Sequence, residues 1–216
     1  HYFTRLQEAM TSNWDRPALG NYRGETFTFG EVATQIAKLH VLYEAIGLKK
    51  GDKVALCAKN SARWGIAFFS ANTYEAVVVP ILADFHPDSV NSLVDHSEST
   101  VLFTDTDIWN KLDIEKMPNV KAVVSTADFK LLYAADERIV EAREHLNELF
   151  GRKYPNSFTS EALNYYEDSA EELAVINYTS GTSGFSKGVM IPYRAIFSNM
   201  EFGSKVLPQL NHTSKV

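Results

Sequence analysis

A repeated switch of hydrophobic period limits this chain's fold more than any other feature. Five short apolar runs, at Val54 to Ala58, Ala76 to Ile81, Val101 to Thr104, Lys121 to Ser125 and Leu173 to Tyr178, are separated mainly by stretches with helical spacing. A strand covered on both faces reads as a continuous apolar run rather than an alternating one, which is the pattern of a parallel sheet. Right-handed crossovers then put helices on both sides of that sheet. The expected fold is α/β, with a doubly wound, mostly parallel sheet of five parallel strands and helices on both faces.

The helical stretches carry their own start and stop signals. Thr28 and Glu31 have capping-box spacing, and Val32, Ile36, Leu39, Tyr43 and Ile46 fall on one helical face before Gly47 ends the pattern. Further helices are predicted from Ser61 to Tyr74, from Pro87 onward, over Glu137 to Phe150 and after Pro192. In the first of these, Trp64, Phe68 and Phe69 read as core packing. In the charged helix at 137–150, Ile139, Val140, Leu146 and Leu149 are the expected apolar contacts. Asn21 to Phe27 reads as a short hairpin around Arg23-Gly24. Gly151 to Glu172, with its proline, serines, asparagines and acidic end, reads as a long surface connection within one domain.

Composition removes several classes of function. The 216 residues are 45% hydrophobic and 22% charged, and the net charge of −6 leaves no large basic footprint for nucleic acid. A single cysteine, Cys57, forms no internal disulfide and supplies no multi-cysteine zinc site, so it reads as a small core residue compatible with a reducing cytoplasm. His40, His86, His96, His145 and His212 lack metal-ligand spacing, and no metal site is expected. The longest apolar stretch, Trp64 to Phe85, is interrupted by Asn72, Glu75 and Pro80, well short of the roughly 20 apolar residues a membrane span needs. The first residues contain no signal-peptide core.

One segment concentrates the chemistry. From Thr179 to Gly188, eight of ten residues are Gly, Ser or Thr, and Lys187 is the only charged one. An apolar strand precedes it, which places it at a strand's carboxyl end, where open α/β sheets bind ligands. Gly181, Gly184 and Gly188 let backbone approach an anion closely. Amide N–H groups and the hydroxyls of Thr179, Ser180, Thr182 and Ser183 can donate to phosphate oxygens, and Lys187 adds a positive charge. A flexible Gly/Ser linker would have the same composition, but it would not combine strand, hydroxyl-rich turn, lysine and helix in this order. The P-loop pattern GxxxxGK[ST] fails, because Ser186 stands where its second glycine belongs and Gly188 follows the lysine.

These residues carry a specific resemblance. Tyr178 to Gly188, YTSGTSGFSKG, resembles the phosphate-binding signature YTSGTTGxPKG of the AMP-forming adenylate family. That family includes acyl- and aryl-CoA synthetases, firefly-type luciferases and the adenylation domains of peptide synthetases. Ser183 replaces the usual threonine and keeps its hydroxyl; Ser186 replaces the usual proline and loses its fixed φ. Thr28 to Val32 is similar to the family's TYxEL helix start, Asn72 to Ile81 to its GAVxVPL region, and Phe103-Thr104-Asp105 to its VFTD ending. Tyr193 stands where many members carry histidine and is read as packing alone.

The resemblance implies an enzyme that joins a carboxylate to the α-phosphate of ATP, releases pyrophosphate, and passes the acyl group to a thiol such as CoA. It assigns Thr179, Ser180, Gly181, Thr182, Ser183, Gly184, Lys187 and Gly188 to the triphosphate, with Mg2+ assisting, and no catalytic residue within these 216. The context EELAVINYTSG and the long stretch before it resemble bacterial long-chain fatty acyl-CoA synthetases. Expected partners are therefore ATP, a fatty acid and CoA, in the cytoplasm or peripherally at a membrane. The family's adenine-contacting segment, ribose-binding aspartate and C-terminal lysine have no counterpart here. The chain is thus expected to be the N-terminal part of the large domain, inactive alone and with an exposed apolar face. The alternatives are another adenylating enzyme or a non-catalytic nucleotide- or phosphate-binding module.

Overall fold

The computed structural model describes residues 1–179 and 187–207. The chain begins with α1 (Tyr2–Ser12), the two-stranded ribbon β1 (Pro17–Gly20) and β2 (Thr26–Thr28), and α2 (Phe29–Ile46). There follow β3 (Lys53–Cys57), α3 (Ala62–Thr73), β4 (Val77–Pro80), α4 (Pro87–His96), β5 (Ser99–Thr104), α5 (Thr106–Trp109) and β6 (Ala122–Ser125). The last part contains β7 (Leu131–Ala134), α6 (Glu137–Glu144), α7 (Leu146–Lys153), β8 (Leu173–Thr179), β9 (Lys187–Pro192) and α8 (Tyr193–Val206).

Seven strands form the main sheet in the order β7-β6-β5-β3-β4-β8-β9. The inner five, β6, β5, β3, β4 and β8, are parallel, as the sequence pattern predicts, and β7 and β9 close the two edges antiparallel. The pleat sends Val54, Leu56, Val78 and Phe103 into one core with α1, α2 and α3. It sends Ala55, Cys57, Val79 and Leu102 into a second core with Val90, Leu93 and Val94 of α4. Cys57 is buried, as expected, and burial pushes its thiol up to about 12, with Asp105 contributing.

Local signals explain the element ends. At the start of α2 the Glu31 N–H donates to Thr28 Oγ1 at 3.2 Å, and the Thr28 N–H donates back to Glu31 Oε2 at 2.8 Å. Gly47 closes the helix at φ 77°. Gly30 lies under the Trp14 indole, where a Cβ would fall 2.6 Å from Cε2. The predicted hairpin forms with its strands at Pro17–Gly20 and Thr26–Thr28, and Asn21 to Gly24 make the turn, with Arg23 at φ 54°.

Two expectations are corrected. The single helix over 137–150 is two helices, α6 and α7, which meet at His145 and continue to Lys153. The break lets both pack on α2; Ile139, Ala142 and Leu146 are buried, whereas Val140 is exposed. The stretch 151–172 is more than a surface connection. Tyr165 and Tyr166 pack on Phe3, and Asp168, only 4% exposed, accepts hydrogen bonds from the Tyr2 N–H at 3.1 Å and the Phe3 N–H at 2.8 Å. Its carboxylate thus caps α1 from far along the chain. Tyr193 is buried and stacks on Tyr2, which fits the packing role expected of it.

Candidate functional site

In a parallel sheet, a crevice opens at the carboxyl ends of two neighbouring strands whose onward connections run to opposite sides. This sheet has two such places. Between β3 and β5 the chain leaves toward β4 on one side and β6 on the other. That crevice is narrowed to a pocket of about 210 Å³ by polar bonds: Asp105 accepts from the Lys59 N–H at 2.9 Å and from the Thr126 hydroxyl, and Thr104 Oγ1 donates to the Cys57 carbonyl at 2.7 Å. Between β4 and β8 the chain leaves toward β5 on one side and β9 on the other, and here the crevice is open.

The open crevice is a cleft of about 480 Å³. Ala58, Lys59 and Asn60 wall it after β3, Pro80 to Phe85 wall it after β4, and Asn177 and Tyr178 wall it from β8. Trp64, half-buried and stacked on Phe68 at 5.6 Å, contributes from α3, while Phe68 and Phe69 pack against the core as expected. The cleft therefore has an apolar and aromatic floor, with the exposed polar groups of Lys59, Asn60 and Asp84 at its margin.

Beside this cleft, β8 and β9 form the last rungs of the sheet. Tyr178 pairs with Gly188, and Thr179 pairs with Lys187, so the two ends of the glycine- and hydroxyl-rich segment lie face to face. Thr179 and Lys187 are both exposed. Lys187 makes no ion pair with another described residue. Ser180, Gly181, Thr182, Ser183 and Gly184 lie outside the described residues. Sequence reasoning placed the segment between a strand and a helix; the structure inserts β9 before α8, so the lysine stands on a strand.

Tyr178 is 9% exposed, and burial raises its phenol, which keeps it neutral. A hydrogen bond of 2.7 Å joins its Oη to His96 Nδ1 at the end of α4. His40, by contrast, is away from the cleft, with its Nε2 3.0 Å from the Ser70 carbonyl oxygen, and burial lowers it to about 4. Among the described residues no group of three or more His, Cys, Asp or Glu side chains is arranged to hold a metal ion. No helix described is long and apolar enough to cross a membrane. Sequence reasoning missed the cleft walls at Lys59, Asn60 and Asp84, and it missed the His96–Tyr178 pair, because neither has a local motif.

A family model described as AMP-binding enzyme matches residues 6–214. The chain belongs to that family. Among curated relatives, the long-chain-fatty-acid–CoA ligase of Salmonella typhimurium is 27% identical over 97% of this chain and 40% of its own length. The peroxisomal long chain acyl-CoA synthetase 6 of Arabidopsis thaliana is 26% identical over 84% of this chain and 25% of its own length. The chain thus spans about 40% or less of the length of these relatives. Solved structures share the fold. Apo MatB from Rhodopseudomonas palustris gives a TM-score of 0.68 at 17% identity, over 93% of this chain and 37% of its own. The anthranilate CoA ligase AuaEII in complex with anthranoyl-AMP gives 0.69 at 17%, over 94% of this chain and 34% of its own.

Proposed function

We propose that these residues form the N-terminal, triphosphate-binding part of the large domain of an AMP-forming acid–thiol ligase acting on a long-chain fatty acid. The observation that carries this reading is the Thr179–Lys187 rung, an exposed hydroxyl residue opposite an exposed lysine, next in sequence to Tyr178 of the β4–β8 cleft wall. Family membership supports ATP-dependent activation of an acid. The fatty acyl substrate rests on the relatives that are long-chain-fatty-acid–CoA ligases.

In the proposed reaction, a carboxylate oxygen attacks the α-phosphorus of ATP, the bond to the bridging oxygen breaks, and pyrophosphate leaves with the electron pair. The thiolate of CoA then attacks the acyl carbonyl and AMP departs. The difficulty is bringing one anion to another and accommodating charge on the leaving group. Thr179, Ser180, Thr182 and Ser183 would donate to the phosphates, Gly181, Gly184 and Gly188 would let the backbone close on them, and Lys187 would balance their charge. Magnesium bound to the triphosphate would help to balance that charge. A cytoplasmic enzyme, soluble or at a membrane surface, fits this substrate pair.

Replacing Lys187 tests the reading in the protein that contains this segment. Lys187→Ala removes a charge-assisted contact of roughly 1.5–3 kcal/mol, which lowers carboxylate-dependent ATP–pyrophosphate exchange about ten- to a hundredfold. The fold is expected to persist, because the side chain is exposed. Full exchange by a folded variant would remove Lys187 from the site.

A further inference from the structure

We infer that His96 is a positioning residue: with Gly188 it clamps Tyr178, and through Tyr178 it sets where the Thr179–Lys187 rung stands. The role assigned to that rung rests on the proposed function; the clamp itself rests on geometry.

Three contacts fix the Tyr178 ring. Its Oη is 2.7 Å from His96 Nδ1. The two rings meet edge to face, with centroids 5.7 Å apart and planes at 71°. On the other strand, Gly188 pairs directly with Tyr178, and a Cβ built there would lie 2.9 Å from Ile176 Cγ2 and 3.3 Å from Tyr178 Cε1. A side chain at position 188 would therefore push against the very ring that His96 holds. The glycine is needed here for close approach across the ladder; its φ lies outside the left-handed region.

The clamp adds a polar contact between the end of α4 and the end of β8, which also share an apolar cluster with Val79, Ile81, Val90 and Val94. His96 is the last residue of α4, the helix that begins just after the cleft wall at Leu82 to Phe85. Tyr178 is the penultimate residue of β8 and is itself part of the cleft. At this end β8 has no ladder partner on the β4 side, because the recorded pairing there is Val78 with Val175, three residues earlier. Past that point, β8 is held laterally by β9, an edge strand, and from the sheet face by the apolar cluster of Val79, Ile81, Val90 and Val94 together with His96. A buried phenol also needs a hydrogen-bond partner, which makes the exposed histidine its anchor to α4.

The test combines amide exchange and kinetics, both in the protein that contains these 216 residues. His96→Ala and Tyr178→Phe should each speed hydrogen exchange at Tyr178, Thr179, Lys187 and Gly188 about fivefold, the factor one net hydrogen bond is worth. Amides of β3 and β5 should not change. The double variant should be no faster than either single one, because both remove the same bond. His96→Gln, whose amide can replace the ring nitrogen, should restore most of the protection. In the ligase, the KM for ATP should rise about fivefold while kcat at saturating ATP stays within about twofold. Unchanged exchange at the rung, multiplicative effects in the double variant, or a uniform loss of protection across the sheet would overturn the clamp. A parent protein without adenylating activity, whose variants still loosen the rung, would overturn the proposed function and leave the clamp standing.

Discussion

His40 sits between α2 and α3 with its Nε2 3.0 Å from the Ser70 carbonyl oxygen and 3.1 Å from Thr73 Oγ1, and its ring lies edge-on to Tyr74 at 5.1 Å. Burial lowers it to about 4; the Ser70 carbonyl opposes this shift and the nearby Lys153 adds to it. In the unfolded chain the ring has an ordinary value of about 6.5. The folded state therefore holds the ring neutral at pH values where the unfolded state binds a proton. Stability from this site is complete above about pH 6.5 and is lost as pH falls toward 4. From about pH 7 to about pH 4.5 the loss is roughly 2 kcal/mol. Carboxylates such as Asp88, Asp128 and Asp136, held below their ordinary range in the fold by Lys116, Lys130 and Arg138, lose their contributions at still lower pH. His40→Gln keeps a side-chain amide near Ser70 and does not titrate. Urea unfolding midpoints for the parent and this variant, measured across that range, isolate the histidine. The variant should lose about one proton's worth of slope, so that the two stabilities converge by roughly 2 kcal/mol on acidification. Parallel pH profiles would refute the claim that His40 is buried neutral.

Two further perturbations read the packing directly. Gly30→Ala would place a methyl group 2.6 Å from the Trp14 ring, so calorimetry should show a loss of about 1–3 kcal/mol. Gly151→Ala, in α7 with open space around it, should instead gain up to about 1 kcal/mol; equal effects at the two sites would contradict the Trp14 contact. Asp168→Ala should cost about 1–2 kcal/mol in urea unfolding by uncapping α1, and a change near zero would mean that the carboxylate does not hold the Tyr2 and Phe3 amides.

The elements that were legible in the sequence are those whose signals are local. The Thr28–Glu31 box, the stop at Gly47, Pro87 at the start of α4 and the buried runs of β3 to β6 and β8 each declare themselves within a few residues. β7 and β9 did not. Leu131–Ala134 is uniformly half-buried and Lys187–Met190 is exposed throughout, so neither shows a buried run or a clean alternation. The bend at His145 escaped notice because helical spacing continues through it. The candidate site divides in the same way. Thr179 and Lys187 stand out by composition, whereas the His96–Tyr178 contact joins residues 82 positions apart and needs the strand order to become visible. Val189 and Met190 on β9 and Phe202 and Val206 on α8 are exposed apolar side chains.

The capping of α1 by Asp168 has a consequence for the order of assembly. The two partners are 166 positions apart, and the Phe3 ring is also packed by Tyr165, Tyr166 and Tyr193. A ribosome adding about 5–20 residues per second leaves α1 waiting on the order of ten seconds before its cap is made. During that interval Tyr2, Phe3 and Met10, all buried in the finished fold, are solvent-facing on an 11-residue helix too short to be stable alone. Helix α1 thus completes its docking only after the chain through Asp168 has been made, and a nascent chain stalled before Asp168 would expose an aromatic surface that chaperones can recognise.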